Sequence, residues 1–311
     1  MYGDVCVSSQ PPLSMKEQAR LIAEANGFDY YDNVLYCKKY RYIIYIGNLN
    51  QRAIFRFRYL YNSSFIFYAL AEGDILIRLD KRINNIKYVV TPSNFAKEKF
   101  EKAGIKVDYV IPHGIEIPKS VKPINEKKGY FYRAYYQKRK FPDYGISFLK
   151  MVQDKYDIDI YLTGMPLDKR FLAVSKIKAV IDGVIDRDKI NDMYNSHKFY
   201  LNLSDNEGFG LTPLEAMSFG EVIITPEYPT IMEYLPVDCN LTVKVYDAWN
   251  EYIHYEYIQH YIYKPEEYYN TFLKSLSLTD AELERMSKCN MEVAKGFDYR
   301  KVYKRFYELI Y

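Results

Sequence analysis

Apolar residues in this chain come in short, nearly unbroken runs separated by polar stretches of helical length. This is the pattern of strands buried on both faces and alternating with helices. In the first third the runs lie at 4–7, 42–46, 65–70, 88–91 and 109–111, with helical stretches such as 15–26 and 93–103 between them. Residues 112–123 are rich in proline and charge, and at Gly129 a second series begins, with runs at 129–132, 158–162, 180–185, 199–203 and 222–225. The alternation predicts an α/β protein with two doubly wound, mostly parallel sheets. The hinge is placed at 112–123, giving a first domain over 1–120 and a second over 125–296. From 297 to 311, Val302, Phe306, Leu309 and Ile310 fall at near-helical spacing with Lys and Arg between them, which predicts a terminal helix.

One stretch between two strands concentrates the chemistry. Ser204–Gly220 reads SDNEGFGLTPLEAMSFG, following the run that ends at Leu203 and preceding the one that starts at Val222. Gly208 and Gly210 remove side chains where the chain must turn, and Thr212 followed by Pro213 has the form of an N-cap and a first helical residue. Exposed N–H groups at the positive end of a helix form a site for an anion such as a phosphate. A carboxylate at Glu215 repels phosphate but accepts two hydrogen bonds from a vicinal diol such as ribose. The same Thr212-Pro213-Leu214-Glu215 also matches a capping box, in which the glutamate only satisfies a backbone N–H. Glu207, placed just before the exposed amides, suits sugar hydroxyls.

The Glu207-x7-Glu215 pair, with Gly-Phe-Gly-Leu-Thr-Pro-Leu-Glu-Ala-Met between, resembles the signature of retaining GT-B glycosyltransferases of family 4. Thr91-Pro92-Ser93-Asn94-Phe95-Ala96 and Val110-Ile111-Pro112-His113-Gly114-Ile115-Glu116 are similar to that family's passage from first domain to hinge. Arg133 with Lys138-Arg139-Lys140 resembles its diphosphate clamp, although Phe141 stands where a glycine is usual. Asp159–Gly164 resembles its next strand, and Asp182-Gly183-Val184-Ile185 with Ile190, Met193 and Tyr194 the run before the glutamate loop. The likeness spans roughly residues 88–235.

The resemblance implies two Rossmann-like domains with parallel sheets facing across a cleft, and a terminal helix that crosses back to the first domain. It implies transfer of a hexose from a nucleotide-diphosphate sugar to a glycan, lipid or protein hydroxyl, with retention and without a metal or other cofactor. Arg133 and either Lys138 or Lys140 then hold the phosphates, helped by the N–H groups of Gly210, Leu211 and Thr212 after Gly208 and Phe209. Glu207 binds the transferred sugar, Glu215 the ribose, and Gly183, Val184 and Ile185 lie near the base. Glu72, in Glu72-Gly73-Asp74, falls where relatives carry a polar group beside the reacting sugar, or else is part of a surface turn. His113 is read as structural, and His197, His254 and His260 show no partner pattern. A nucleotide-sugar epimerase, a phosphorylase or a non-catalytic binding protein would keep a similar second domain.

Composition narrows this further. The 311 residues suit two domains, and 49% apolar content supplies two cores. A net charge of +3 gives no strong nucleic-acid field. Basic clusters are local, at Lys38-Lys39-Tyr40-Arg41 and Arg56-Phe57-Arg58, and are either a solvated face or a contact for an anionic acceptor or a membrane surface. The 35 tyrosines are read as core and subcore residues with a polar tip in water. Cys6, Cys37, Cys239 and Cys289 are scattered without C-x-x-C spacing, which suggests neither zinc nor a disulfide framework and points to a reducing compartment. No apolar run approaches the ~20 residues that span a bilayer, so a cytoplasmic protein, at most peripheral at a membrane, is expected. Asp157-Ile158-Asp159 imitates a metal-binding D-x-D motif but reads as the start of a strand, and Asp186-Arg187-Asp188 as a loop.

Overall fold

The computed structural model describes residues 4–60, 62–82, 84–135, 137–152, 155–163, 179–181, 186–253 and 255–311, with backbone alone at 134–135, 161–163 and 179–181. The chain forms two compact units, the first comprising Met1–Glu116, Asn250–Gln259 and Gly296–Tyr311, the second Ile117–Trp249 and His260–Lys295.

The first unit begins with β1 (Val5–Ser9), α1 (Leu13–Asn26), β2 (Asp29–Tyr30), β3 (Tyr42–Asn48), α2 (Gln51–Tyr59), β4 (Ser64–Leu70), β5 (Gly73–Ile75), β6 (Ile86–Thr91), α3 (Asn94–Lys102) and β7 (Tyr109–Val110). Its main sheet has the order β2-β1-β3-β4-β6-β7, every pair parallel. Alternate residues of these strands feed two separate cores. Cys6, Ile43, Tyr45, Phe65, Phe67 and Val89 pack on one face, and Val5, Val7, Ile44, Ile46, Ile66, Tyr68 and Val90 on the other. Covering on both faces is why the strands read as continuous apolar runs instead of alternating ones. Helix starts follow side-chain capping: Asn50 accepts from the Ala53 N–H at 2.9 Å and Ser93 from the Ala96 N–H at 3.1 Å.

The second unit contains β8 (Tyr130–Tyr135), α4 (Asp143–Val152), β9 (Ile158–Thr163), β10 (Ala179–Ile181), α5 (Arg187–Tyr194), β11 (Phe199–Leu201), α6 (Leu211–Ser218), β12 (Val222–Pro226), α7 (Pro229–Met232) and β13 (Leu241–Val243). Its sheet runs β10-β9-β8-β11-β12-β13, all parallel. In this order the chain steps outward from β8 to β10 and then returns to the other side of β8 with β11. The switch point therefore falls between β8 and β11, where ligands of open α/β sheets bind at the carboxyl ends of the strands.

Next come β14 (Asp247–Ile253) and β15 (Glu256–Ile262), which form a third sheet with β5 in the order β14-β15-β5. Gly73 is thus in a strand, paired antiparallel with Ile258, and the surface turn considered for 72–74 is replaced by this pairing. A Cβ at Gly73 would sit 1.7 Å from the Tyr257 carbonyl oxygen, so only glycine fits beneath β15. Helices α8 (Pro265–Ser275) and α9 (Asp280–Lys295) follow, and the chain ends in α10 (Tyr299–Val302) and α11 (Lys304–Glu308) in place of one continuous terminal helix. Tyr299, Val302, Tyr303 and Phe306 complete the second core of the first unit.

Two sequence readings are corrected here. The four cysteines are paired, Cys6 with Cys37 and Cys239 with Cys289, so a disulfide framework exists and the inference of a reducing compartment loses its basis. The partners are 31 and 50 residues apart and meet only through tertiary structure, which spacing motifs do not register. Among the described residues no helix is long and apolar enough to cross a membrane.

Candidate functional site

At the switch point of the second unit, the segment after β11 turns through Gly210 into α6. Gly210 has φ +93°, and a Cβ there would approach the Tyr234 hydroxyl to 2.7 Å. That hydroxyl donates to the Gly210 carbonyl at 2.6 Å and pins the turn. Gly210, and not Thr212, is therefore the N-cap, because the left-handed glycine closes the turn earlier than a threonine cap would. Pro213 is then the third helical residue, still in the first turn, where its missing N–H costs no helical bond. The N–H groups of Leu211 and Thr212 belong to the first turn and have no intrahelical acceptor.

Glu215 does not close a capping box. Its carboxylate is turned to Arg133 at 3.1 Å, Arg187 at 2.8 Å and the Tyr194 hydroxyl at 3.2 Å. Arg133 extends from β8, Arg187 opens α5 and Tyr194 ends it, so three side chains from two neighbouring elements converge on one carboxylate. Burial opposes its ionisation, but Arg187 and Arg133 outweigh burial and hold the carboxyl below its ordinary range. Tyr200, beneath the cluster, donates to the Arg133 carbonyl at 2.9 Å and keeps the end of β8 in place.

A second cluster forms around Glu207, which is 6% exposed. Lys140 bonds one carboxylate oxygen, and Arg139 Nη1 lies 3.3 Å from the other while also donating to the Asn206 carbonyl at 2.9 Å. Burial again works against the charge, and Lys140 and Arg139 reverse it, leaving Glu207 below the ordinary range. The Thr230 hydroxyl donates to the Glu207 carbonyl at 2.8 Å and fixes the backbone. The structure thus brings together Arg133 with Glu215 and Lys140 with Glu207. Lys138 instead stands exposed over the Trp249 ring, 5.5 Å from its centroid.

Several features escaped the sequence reading. Arg139, given no role of its own within the basic triplet 138–140, has a side chain only 14% exposed and meets Glu207, and Arg187, read as part of a loop, is a direct partner of Glu215. Asp186 caps α5 by accepting from the Asp188 N–H at 3.1 Å, and that charged triplet was the only available signal. The histidines also have partners: His260 Nδ1 meets Asp205 at 2.9 Å while its ring stacks on Trp249, and His197 meets Asp159 at 3.3 Å. Tyr144 donates to the same Asp205 at 2.7 Å, a buried group beside the glutamate loop.

Glu72 lies in the first unit, where its N–H and that of Gly73 donate to Glu256 of β15. Burial, then the neighbouring Glu72 carboxylate, push Glu256 up to about 7. His113 is buried against the Tyr68 hydroxyl at 3.0 Å, and burial depresses its pKa to about 3, as suits a structural residue. His254 and Gly183, Val184 and Ile185 lie outside the described residues. Among the described residues no cluster of His, Cys, Asp and Glu has the makings of a metal site.

A parallel sheet of the order found in the second unit, with charged groups converging at its switch point, joined in one chain to another doubly wound parallel sheet, defines the GT-B fold. Solved structures agree. The chain superposes on the Anabaena protein HepE, crystallised in complex with UDP and glucose, with a TM-score of 0.71 at 12% identity, covering 98% of this chain and 99% of that one. It superposes on a glycosyltransferase from Rickettsia africae with a TM-score of 0.69 at 13% identity over 98% and 97% of the two chains. Residues 117–253 match the family described as Glycosyl transferases group 1, a segment running from the start of the second unit into β14. An uncharacterized glycosyltransferase, number 335, of Sulfolobus islandicus rod-shaped virus 1 is 24% identical over 275 residues, 80% of this chain and 81% of the relative. Glycosyltransferase is the name that the Rickettsia structure, the family and the viral relative have in common.

Proposed function

We propose that the protein transfers a hexose from a nucleotide-diphosphate sugar to an acceptor hydroxyl, retaining the anomeric configuration and needing no metal. The observation that carries this is the pair of carboxylate–cation clusters beside a helix start at the switch point of the second unit, Glu215 with Arg133 and Arg187, Glu207 with Lys140 and Arg139. The bond between the anomeric carbon and the phosphate oxygen breaks, and its electron pair leaves with the diphosphate. The acceptor oxygen bonds to that carbon on the same face and gives its proton to the departing diphosphate. Charge developing on the leaving group is met by fixed cations and by the N–H groups of Gly210, Leu211 and Thr212. Arg133 grips phosphate through paired N–H groups and Lys140 acts as a point charge.

Glu215 takes the ribose hydroxyls and Glu207 those of the sugar. Both exchange an arginine or lysine contact for the donor when it binds. The relative crystallised with UDP and glucose supports this class of donor, and peripheral contact with a membrane is part of the proposal. Labelled UDP-, GDP- and ADP-sugars with a panel of acceptors test the reading, with and without EDTA. A glycosylated product that forms equally in EDTA is expected. Turnover of donor without acceptor indicates an epimerase, dependence on free phosphate a phosphorylase, and binding without turnover a non-catalytic protein.

A further inference from the structure

Between Asp32 and Glu72 the chain has no acidic residue, yet it has Lys38, Lys39, Arg41, Arg52, Arg56 and Arg58, in a protein with 43 basic and 40 acidic residues in all. This segment includes α2, whose outer face carries Arg52, Phe55 and Tyr59 at helical spacing, with Arg58 also exposed, while Arg56 turns to the Tyr45 hydroxyl. Phe55 is 66% and Tyr59 53% exposed, and the two rings stack on each other at 5.9 Å. Beside α2 the turn Val34–Lys39 presents Leu35, 48% exposed, and Tyr36, 66% exposed. The two elements border one open groove lined by Asn33, Leu35, Gln51, Arg52, Phe55 and Arg56. The acids just before the segment are engaged: Asp29 accepts from Tyr40 at 2.6 Å and Asp32 pairs with Lys16 at 3.2 Å.

We infer that this face of the first unit docks on an anionic lipid surface. Large apolar side chains standing out beside arginines on one helix face match an interfacial contact, in which rings enter the headgroup boundary and cations meet lipid phosphates. The exposed Leu35 that lines the groove gains from an acyl boundary and nothing from base stacking, which favours a bilayer over a nucleic acid. The inference gives a location to the membrane contact in the proposed function, but it rests on this surface alone and needs no donor sugar.

Co-sedimentation of the full chain with phosphatidylcholine vesicles, with and without phosphatidylglycerol, tests it. Binding only to the anionic vesicles, weakened by salt, is expected. Each neutralised cation should cost about fivefold, so Lys38→Gln with Arg52→Gln should lower the partition coefficient about 25-fold. Phe55→Ser, which leaves the charge untouched, should lower it about tenfold. Lys288→Gln with Lys295→Gln, on the exposed face of α9 in the second unit, should change nothing, and melting curves should confirm that all variants are folded. Failure to bind anionic vesicles, equal loss in the α9 variant, or full binding by the Lys38 and Arg52 variant would overturn the inference. So would a single-stranded RNA probe that binds this face and displaces the vesicles. None of these outcomes depends on sugar transfer, so the two readings fail separately.

Discussion

Glu207→Gln separates the two tasks assigned to the loop. The substitution keeps the shape of the side chain and removes one buried negative charge from beside Arg139 and Lys140, whose side chains are 14% and 15% exposed. Breaking one partner of a buried ion pair costs about 3–5 kcal/mol. For a unit of this size, that lowers the unliganded melting temperature by about 10 °C. A nucleoside diphosphate then supplies the missing negative charge, so the thermal shift it produces should be larger in the variant than in the parent. The sugar contact is lost at the same time, and the preference for a nucleotide sugar over its free diphosphate should fall by about ten- to a hundredfold. Differential scanning fluorimetry with UDP, GDP and ADP, followed by calorimetry with the matching sugars, reads both effects. If the variant melts lower but gains no extra shift from any diphosphate, the phosphates do not bind beside Arg139 and Lys140. If it keeps the parent's preference for the sugar, Glu207 does not hold the sugar.

Three further outcomes follow from the structure. Glu215→Gln leaves Arg133 and Arg187 facing each other, and nucleotide-sugar affinity should drop about ten- to a hundredfold by calorimetry; affinity within about twofold of the parent's would reduce Glu215 to a counter-ion for the arginines. Glu256 holds its proton up to about 7 when folded, against about 4.3 for an unfolded glutamate, so the folded state binds more protons between these values and loses stability as pH rises through that window. Glu256→Gln keeps an oxygen for the Glu72 and Gly73 N–H groups and should be more stable than the parent by about 3 kcal/mol at pH 8 and no more stable at pH 4. Equal stabilities in denaturant at both pH values would contradict this. Reducing both disulfides, which close loops of 31 and 50 residues, should lower stability by about 4 kcal/mol each, and Cys37→Ser and Cys289→Ser should reproduce the two losses separately.

The strands of both main sheets were legible because burial on both faces writes them as short apolar runs, and the glutamate loop because its spacing carries chemistry. The start of α6 was misplaced because local sequence favours Thr212 and Pro213 as cap and first residue. Tyr234, 24 residues away from Gly210, decides the matter by holding its carbonyl. The roles of Arg139 and Arg187 were not legible because an arginine in a charged triplet carries no sign of the carboxylate it will meet. The strands β14 and β15 were not foreseen, since 247–262 mixes tyrosine with charge and leaves no clear apolar face, and their pairing depends on Gly73, far upstream. The cysteine pairs were invisible for the same reason: each joins segments that become neighbours only once a sheet has formed.

The placement of α10 and α11 has a consequence for biosynthesis. The second core of the first unit needs Tyr299, Val302, Tyr303 and Phe306 to cover the face formed by Val5, Ile44, Ile66 and Val90. Those strands are made long before their cover, while the sheet and helices of the second unit are all encoded between Ile117 and Lys295. During synthesis the usual order of domain completion, first made and first folded, is therefore reversed. The earlier unit waits with one apolar face of its sheet incompletely covered until the later unit has been translated, and in that interval it is open to chaperones and to aggregation.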